Sequence, residues 1–414
     1  MLEMHHETLC KVFDIHNIGE WSDKNRFDRL IIEKLRSIPG FAEVIATKED
    51  AEFLFFMLLD RYKAGSERAG RTYDDILSEL INSEEYILKK LTYATKTDHE
   101  VTINGRHGKI VIKKSDGGSF GQGVYSCFVE YVNGDLYMSF PQNFCEKTYS
   151  SRFIPYLRVF HKALEILAGS STINRGVYFF YGDHPTRDFG VAFCSNKLDD
   201  YLVPDPDVMQ IFKNPPELKC LWSDRLPIAY FRGTDTGSAF YKNFENSQRI
   251  ALSILSKNSS ELIDAKITGA ENKNNIDLLK SMGIWGEREP QENIQLYKYN
   301  VDVDGNSNSW AGLVNKLLMG AGGVVLKARS PESYRQWFYN RLEPWINFVP
   351  VEADLSDICE KITYLKSHDS IAENIHKNAS HIFHGLDYEY LANYAAHVFV
   401  LSLQGIKTNQ RPAF

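Results

Sequence analysis

Three polar segments, each directly behind an apolar run, hold the side chains of this sequence that could do chemistry. In Tyr181-Gly182-Asp183-His184-Pro185 a carboxylate and an imidazole follow the run VYFFY (Val177 to Tyr181). A parallel strand would end there and its loop begin, which is where working groups stand in open α/β sheets. Asp183 is a candidate general base, and His184 competes for the same proton; the alternative is that either caps a turn ahead of Pro185. In Phe231-Arg232-Gly233-Thr234-Asp235-Thr236-Gly237 small and hydroxylated residues let a ligand approach the backbone, and phosphate contact is the chemistry that fits, with an ordinary loop as the alternative. The spacing matches neither a Walker A sequence nor a Rossmann G-x-G-x-x-G. In Asp302-Val303-Asp304-Gly305-Asn306-Ser307-Asn308-Ser309-Trp310 a glycine-containing loop opens a helix, whose free N–H groups and positive dipole end favour an anion such as a diphosphate. Asp302 and Asp304 are alternatively a carboxylate pair for a divalent metal. No Glu completes an EF-hand loop, however, since its twelfth position is Leu313, and residues two apart on a strand share a face for packing.

The elements that must position these segments are legible as short apolar runs alternating with helical patterns, the rhythm of parallel α/β layers. Strands are expected at Val177 to Tyr181, Val191 to Phe193, Ile228 to Phe231, Leu262 to Ile267, Tyr299 to Val303, Val324 to Leu326 and Ile346 to Val351. Helices are expected at Ile154 to Leu167, Gln248 to Leu255, Ile276 to Met282, Trp310 to Leu318, Tyr334 to Arg341, Leu355 to Leu365, Ile371 to Phe383 and Tyr388 to Leu403. The aromatic set around Arg341 (Tyr334, Trp337, Phe338, Tyr339, Trp345) reads as core packing at helical spacing. Gly320 to Gly323 reads as a helix C-cap feeding a strand. Upstream, residues 23 to 91 carry helical spacing, with Phe53 to Leu59 as a buried helix. Between residues 100 and 140 the period becomes two, and Asn104-Gly105 and Asn133-Gly134 signal two hairpins. Four prolines make Pro204 to Pro216 the linker candidate, and a domain boundary is expected there.

Composition bounds the function. Hydrophobic residues are 43% and aromatics 13%, enough for large cores, and 47 Lys+Arg against 54 Asp+Glu leave a formal charge of −7, which disfavours a protein that neutralises nucleic-acid phosphates. No apolar run approaches the roughly 20 residues that span a bilayer, and Met1 to Lys11 has no signal-peptide pattern. Six scattered cysteines suit reduced core thiols and a cytoplasmic setting, and the histidines show no metal-ligand spacing.

In order and in wording, the segments over residues 170 to 400 resemble the CAP10-like glycosyltransferases, glycosyltransferase family 90. The motifs are AYFRGTDTG (Ala229 to Gly237), Arg249 opening a helix before LIDAKIT, YKYNVDVDGNSNSW (Tyr297 to Trp310) and GGVVLKARSPESYRQWFYNRLEPWINFVPV (Gly322 to Val351), with a final helical pair. The family includes the Rumi-type protein O-glucosyltransferases, fungal capsule xylosyltransferases and bacterial proteins described as lipopolysaccharide-modifying. The resemblance implies an α/β fold of GT-B type, two Rossmann-like domains facing a cleft, to which the N-terminal helices and hairpins are an elaboration. The expected division is an acceptor-side domain over 1–216, a donor domain over 217–385, and a helix over 386–414 crossing back to the first. It implies metal-independent, inverting transfer from a UDP-sugar (glucose, xylose or galactose) with no further cofactor. Asp183 matches the family's catalytic aspartate before a His-Pro or Tyr-Pro pair, with His184 as a second base or acceptor-side residue. Arg232, Gly233, Thr234, Arg249, Gly305, Ser309 and Trp310 match donor-binding positions. Asp304 stands with them, although the Rumi-type enzymes have an arginine there and a second arginine where this chain has Ala311 or Gly312. These departures point to a different donor pocket. The expected acceptor is a hydroxyl of a glycan or glycolipid, such as a lipopolysaccharide or capsule precursor, met in a bacterial cytoplasm or peripherally at the inner membrane face. The alternatives are a protein O-glucosyl- or xylosyltransferase and an inactive sugar-nucleotide-binding protein.

Overall fold

The computed structural model describes residues 100–105, 107–114, 125–141, 152–171, 173, 175–183, 185, 190–217, 219–237, 243–318 and 323–406. All but Glu100 and Val101 of these lie in one compact unit, Thr102–Phe414. The helices expected over residues 23 to 91, Gly320 to Gly322 and His184 lie outside the described residues.

The first half of the unit is a mixed sheet. Its strands are β1 (Glu100–Gly105), β2 (Gly108–Lys114), β3 (Ser126–Val132), β4 (Asp135–Phe140), β5 (Val177–Phe180), β6 (Gly190–Ala192) and, after the short β7 (Cys194–Ser195), β8 (Tyr201–Leu202), in the order β1-β2-β4-β3-β5-β6-β8. Asn133 and Gly134 both take positive φ (52° and 92°), as a two-residue hairpin turn needs, and close β3 onto β4 antiparallel. Asn104-Gly105 ends β1, and the next strand β2 lies beside β1 in the sheet as expected of that pair, while its other edge pairs in parallel with β4. Helix α1 (Leu157–Leu167) covers this sheet because Leu157, Phe160, Ala163, Leu164 and Leu167 fall on one face and are buried. Phe153, Phe160, Phe179 and Phe399 interlock there edge-on and tilted.

The proline-rich stretch expected as a linker contains helix α2 (Pro206–Lys213). Asp205 caps it by accepting from Val208 N, Pro206 sits in the first turn where no N–H is missed, and Val208, Met209 and Phe212 are buried. Proline here starts a helix instead of loosening a connection.

The second half is a fully parallel sheet of β9 (Leu226–Thr234), β10 (Ile263–Gly269), β11 (Tyr297–Asp302), β12 (Val324–Ala328) and, after the short β13 (Arg335–Gln336), β14 (Val349–Val351), in the order β10-β9-β11-β12-β14. The crossovers carry α3 (Gln248–Asn258), α4 (Asn275–Ser281) and α5 (Ala311–Leu317); α6 (Ile358–Ser367), α7 (Asp369–His381) and α8 (Tyr388–Gln404) follow. Alternation sorts the two faces. Ala229, Phe231, Ile263, Ala265, Ile267, Tyr299, Val301, Val324 and Leu326 pack into one apolar core, each large side chain contributing about 1.5–3 kcal/mol on burial. In register on the other face stand Tyr230, Arg232, Asp264, Asn300, Asp302 and Lys327. Successive strands step one way from β9 to β10 and the other way to β11. The strand order therefore reverses at β9/β11, where the carboxyl ends open a crevice.

Tyr334 to Arg341, expected as a helix, is instead β13, paired with β7, followed by a 3-10 turn. Trp337, Phe338 and Tyr339 are consecutive and all buried, which one face of a helix cannot achieve. Helix α8 packs on α1 and α2, and no helix among the described residues is long and apolar enough to cross a membrane.

Candidate functional site: a crevice between two sheets

The loops leaving β9 and β11 meet back to back at the reversal point. A Cβ at Gly237 (φ 86°) would lie 2.5 Å from Gly305 O, and one at Gly305 would lie 2.6 Å from Thr236 Oγ1 and 2.7 Å from Arg249 Nη2. Position 237 therefore needs glycine, and a side chain at Gly305 would have to displace the Arg249 guanidinium. Arg249, at the start of α3, ties the loops together: Nη1 donates to Thr234 O (3.0 Å) and Nε to Asp304 O (3.0 Å). Burial draws its pKa down against the pull of Asp302 and Asp304. Among the described residues Nη2 donates to no partner, so one edge of the guanidinium faces the Gly305 backbone unused.

Asp302 is buried and claimed three times, by Lys316 Nζ (2.9 Å), Lys327 Nζ (3.2 Å) and Ser309 Oγ (2.5 Å). Burial opposes its charge, but the two lysines outweigh it and hold the carboxyl well below the usual range. Ser309 thus serves Asp302. Asp302 and Asp304 also do not act as a pair: burial pushes Asp304 up to about 6, and neither of its oxygens has a partner in hydrogen-bond geometry, Ser330 Oγ lying near but outside it.

At the helix start expected to present free N–H groups, some are already used. Gly305 N donates to Ser307 O, Gly312 N to Ser309 O and Leu313 N to Trp310 O, and α5 is only seven residues long. Trp310 stands at φ 52°, strained for a bulky residue. Its indole N–H donates to Ser307 Oγ (3.0 Å), while Phe193 packs against its ring edge-on and the Arg152 guanidinium lies 4.3 Å from its centre.

Arg232 is also differently employed than expected. It forks onto both oxygens of Asp264 (2.9 and 3.0 Å) and reaches Glu289 (2.8 Å), so its charge is matched twice before any phosphate arrives. It lines, with Tyr230, Gly233, Thr234, Glu289 and Lys316, a cavity of about 400 Å³ on the polar face of the second sheet.

Asp183 reaches the crevice from the first sheet. Its side chain is 33% exposed, Arg152 Nη1 donates to Oδ1 (2.9 Å) and Asn306 Nδ2, in the β11 loop, to Oδ2 (3.2 Å). Asn306 also receives Gly237 N (2.8 Å) and donates to Glu271 (2.9 Å). Asp183, Arg249, Gly305 and Trp310 are thus brought together, whereas Arg232 lies deeper along β9. Sequence reading missed Arg152, Asn306, Gln248 and Lys327. Only Lys327 had a signal, a lone charge inside the apolar run VVLKA; the others are recognisable only once the chain is folded.

The fold is that of an α/β domain with a crevice at the strand-order reversal. Residues 208–408 match the model of glycosyl transferase family 90. It is 33% identical over 160 residues to protein O-glucosyltransferase 3 of Rattus norvegicus and 34% identical over 160 residues to the Homo sapiens protein of that name, covering 38% of this chain and 27% of each relative. The chain thus spans about a quarter of the length of these curated relatives. A solved structure of Anabaena HepE with UDP and glucose covers 48% of this chain and 52% of that chain at 10% identity, with a TM-score of 0.31.

Proposed function

We propose that this protein moves a sugar from a UDP-sugar to an acceptor hydroxyl, with inversion and without a metal, in a GT-B arrangement whose second sheet (residues 217–385) holds the donor. One observation carries the reading: the Asp183 carboxylate, at the end of a strand of the first sheet, touches Asn306 in the loop at the reversal point of the second. Base and donor loop then share one crevice. Asp183 accepts the acceptor proton as the hydroxyl oxygen attacks the anomeric carbon, and the bond to the diphosphate breaks on the opposite side. The departing charge meets the unused edge of Arg249 at Gly305. Metal independence fits the fate of Asp302, whose oxygens the lysines already hold.

The rat and human relatives are named protein O-glucosyltransferases, which favours glucose among the candidate sugars and puts a protein hydroxyl beside a glycolipid or polysaccharide as acceptor. The test is a screen of UDP-glucose, UDP-xylose and UDP-galactose for slow hydrolysis by the purified chain, with and without EDTA. Release of UDP from one of them, unchanged by EDTA, is expected. Failure to bind or hydrolyse any would refute the reading, and EDTA sensitivity would refute its metal-free part.

A further inference from the structure

A second cavity, of about 640 Å³ and so of ordinary small-molecule size, lies at the carboxyl ends of β12 and β14, with Lys327, Ser330, Tyr334 and Tyr339 in its wall. Asp304 stands beside it, 8% exposed, within electrostatic reach of all four. Its two oxygens and the buried Tyr339 hydroxyl have no partner in hydrogen-bond geometry among the described residues, Ser330 Oγ lying near the first and Lys327 Nζ near the second but outside it. Groups left so are rare and costly in folded proteins, and each calls for a water or a ligand. The backbone that carries the carboxylate is held in place. Asp304 N donates to Gln248 Oε1 (3.1 Å), its carbonyl accepts from Arg249 Nε (3.0 Å), and Gln248 Nε2 donates to the carbonyls of Arg329 (2.9 Å) and Ala353 (2.8 Å). One glutamine therefore staples the donor loop to the cavity rim.

We infer that this cavity receives the sugar ring of the donor and that Asp304 reads its hydroxyls. The inference rests on the donor reading above. A carboxylate only accepts hydrogen bonds, so it suits a neutral, polyhydroxylated ring and repels a phosphate or an acidic sugar. Tyr339 Oη supplies a complementary donor or acceptor. Lys327 does not draw an anion here, because Asp302 holds it. Asp304 adjoins Gly305, so a ring attached to a diphosphate at Gly305 has one residue to cross.

The experiment is calorimetry of wild type, Asp304→Ala, Asp304→Asn and Tyr339→Phe with UDP alone and with UDP-glucose, UDP-galactose and UDP-xylose. Wild type binds one UDP-sugar more tightly than UDP. Asp304→Ala weakens that sugar nucleotide about 10- to 100-fold and leaves UDP within about twofold. Tyr339→Phe, which removes one oxygen and keeps the packing, shows a smaller loss of the same selective kind and carries the test if the Asp304 variants do not fold. Equal losses for UDP and UDP-sugar, or no loss for either, overturn the inference and leave the donor reading standing. A wild type that binds no UDP removes the donor reading and the inference with it.

Discussion

At the end of β5 the chain leaves Asp183 one-third exposed, with one oxygen on Arg152 and the other on Asn306. At the end of β11 it buries Asp302 among two lysines and a serine, and locks the following loop through Gly237, Gly305 and Arg249. Two strand ends that face one crevice are thus built to opposite specifications. The first holds its carboxylate by surface hydrogen bonds that an incoming hydroxyl can replace; the second uses charge and close backbone approach to make a rigid wall. Substitutions should divide accordingly, altering rate at the first and stability or binding at the second.

The largest effect is expected at Asp183. Asp183→Asn should lower transfer or hydrolysis about 10²- to 10⁴-fold, the worth of a general base, with thermal midpoint and UDP affinity unchanged. A variant that turns over normally would break the comparison at its first term. Next comes Asp302→Asn, which strands the buried Lys327 and the partly buried Lys316 and should cost about 3–5 kcal/mol in denaturant titrations; full stability with lost activity would mean that the wall is itself a reacting site. Arg249→Lys keeps a charge but loses the fork that grips Thr234 and Asp304, and UDP binding should weaken by about 1.5–3 kcal/mol, read by calorimetry.

The smallest effect sharpens the wall internally, because Asp302 and Asp304 have opposite pH signatures. The Asp302 carboxyl is held below the usual 3.8, so its stabilisation is complete above that value and lost as pH falls below it. Asp304 is raised from 3.8 to about 6, so the folded state keeps a proton that the unfolded chain has released, and stability falls as pH rises through that window. Asp304→Asn should gain on wild type by about 1–3 kcal/mol between about pH 4 and 7. A difference that stays flat with pH would contradict the burial of an ionisable group there.

Much of the scaffold was legible. Period-two alternation and apolar runs located β5, β9, β11 and β12, helical spacing located α1, α3, α7 and α8, and Asn133-Gly134 located its hairpin, since these signals act over a few residues. The misses share a cause. Tyr334 to Arg341 looks helical by local spacing but pairs as β13 with β7, some 140 residues earlier in the chain, and Pro204 to Pro216 looks like a linker until Asp205 caps a helix whose apolar side has a core to enter.

By itself the sequence determined the parallel α/β character of the second half, the strand ends where Asp183, Thr234 and Asp302 stand, and the glycines at 237 and 305, because side-chain periodicity and backbone freedom are local properties. The tertiary structure decided what each polar residue does. Arg232 and Asp302 were claimed by partners distant along the chain, Asp304 was left unpartnered beside a cavity, and Asn306 was set against Asp183 from 123 residues away. Charge pairing and desolvation depend on which groups the fold brings within a few ångströms, and spacing along the chain does not carry that distance.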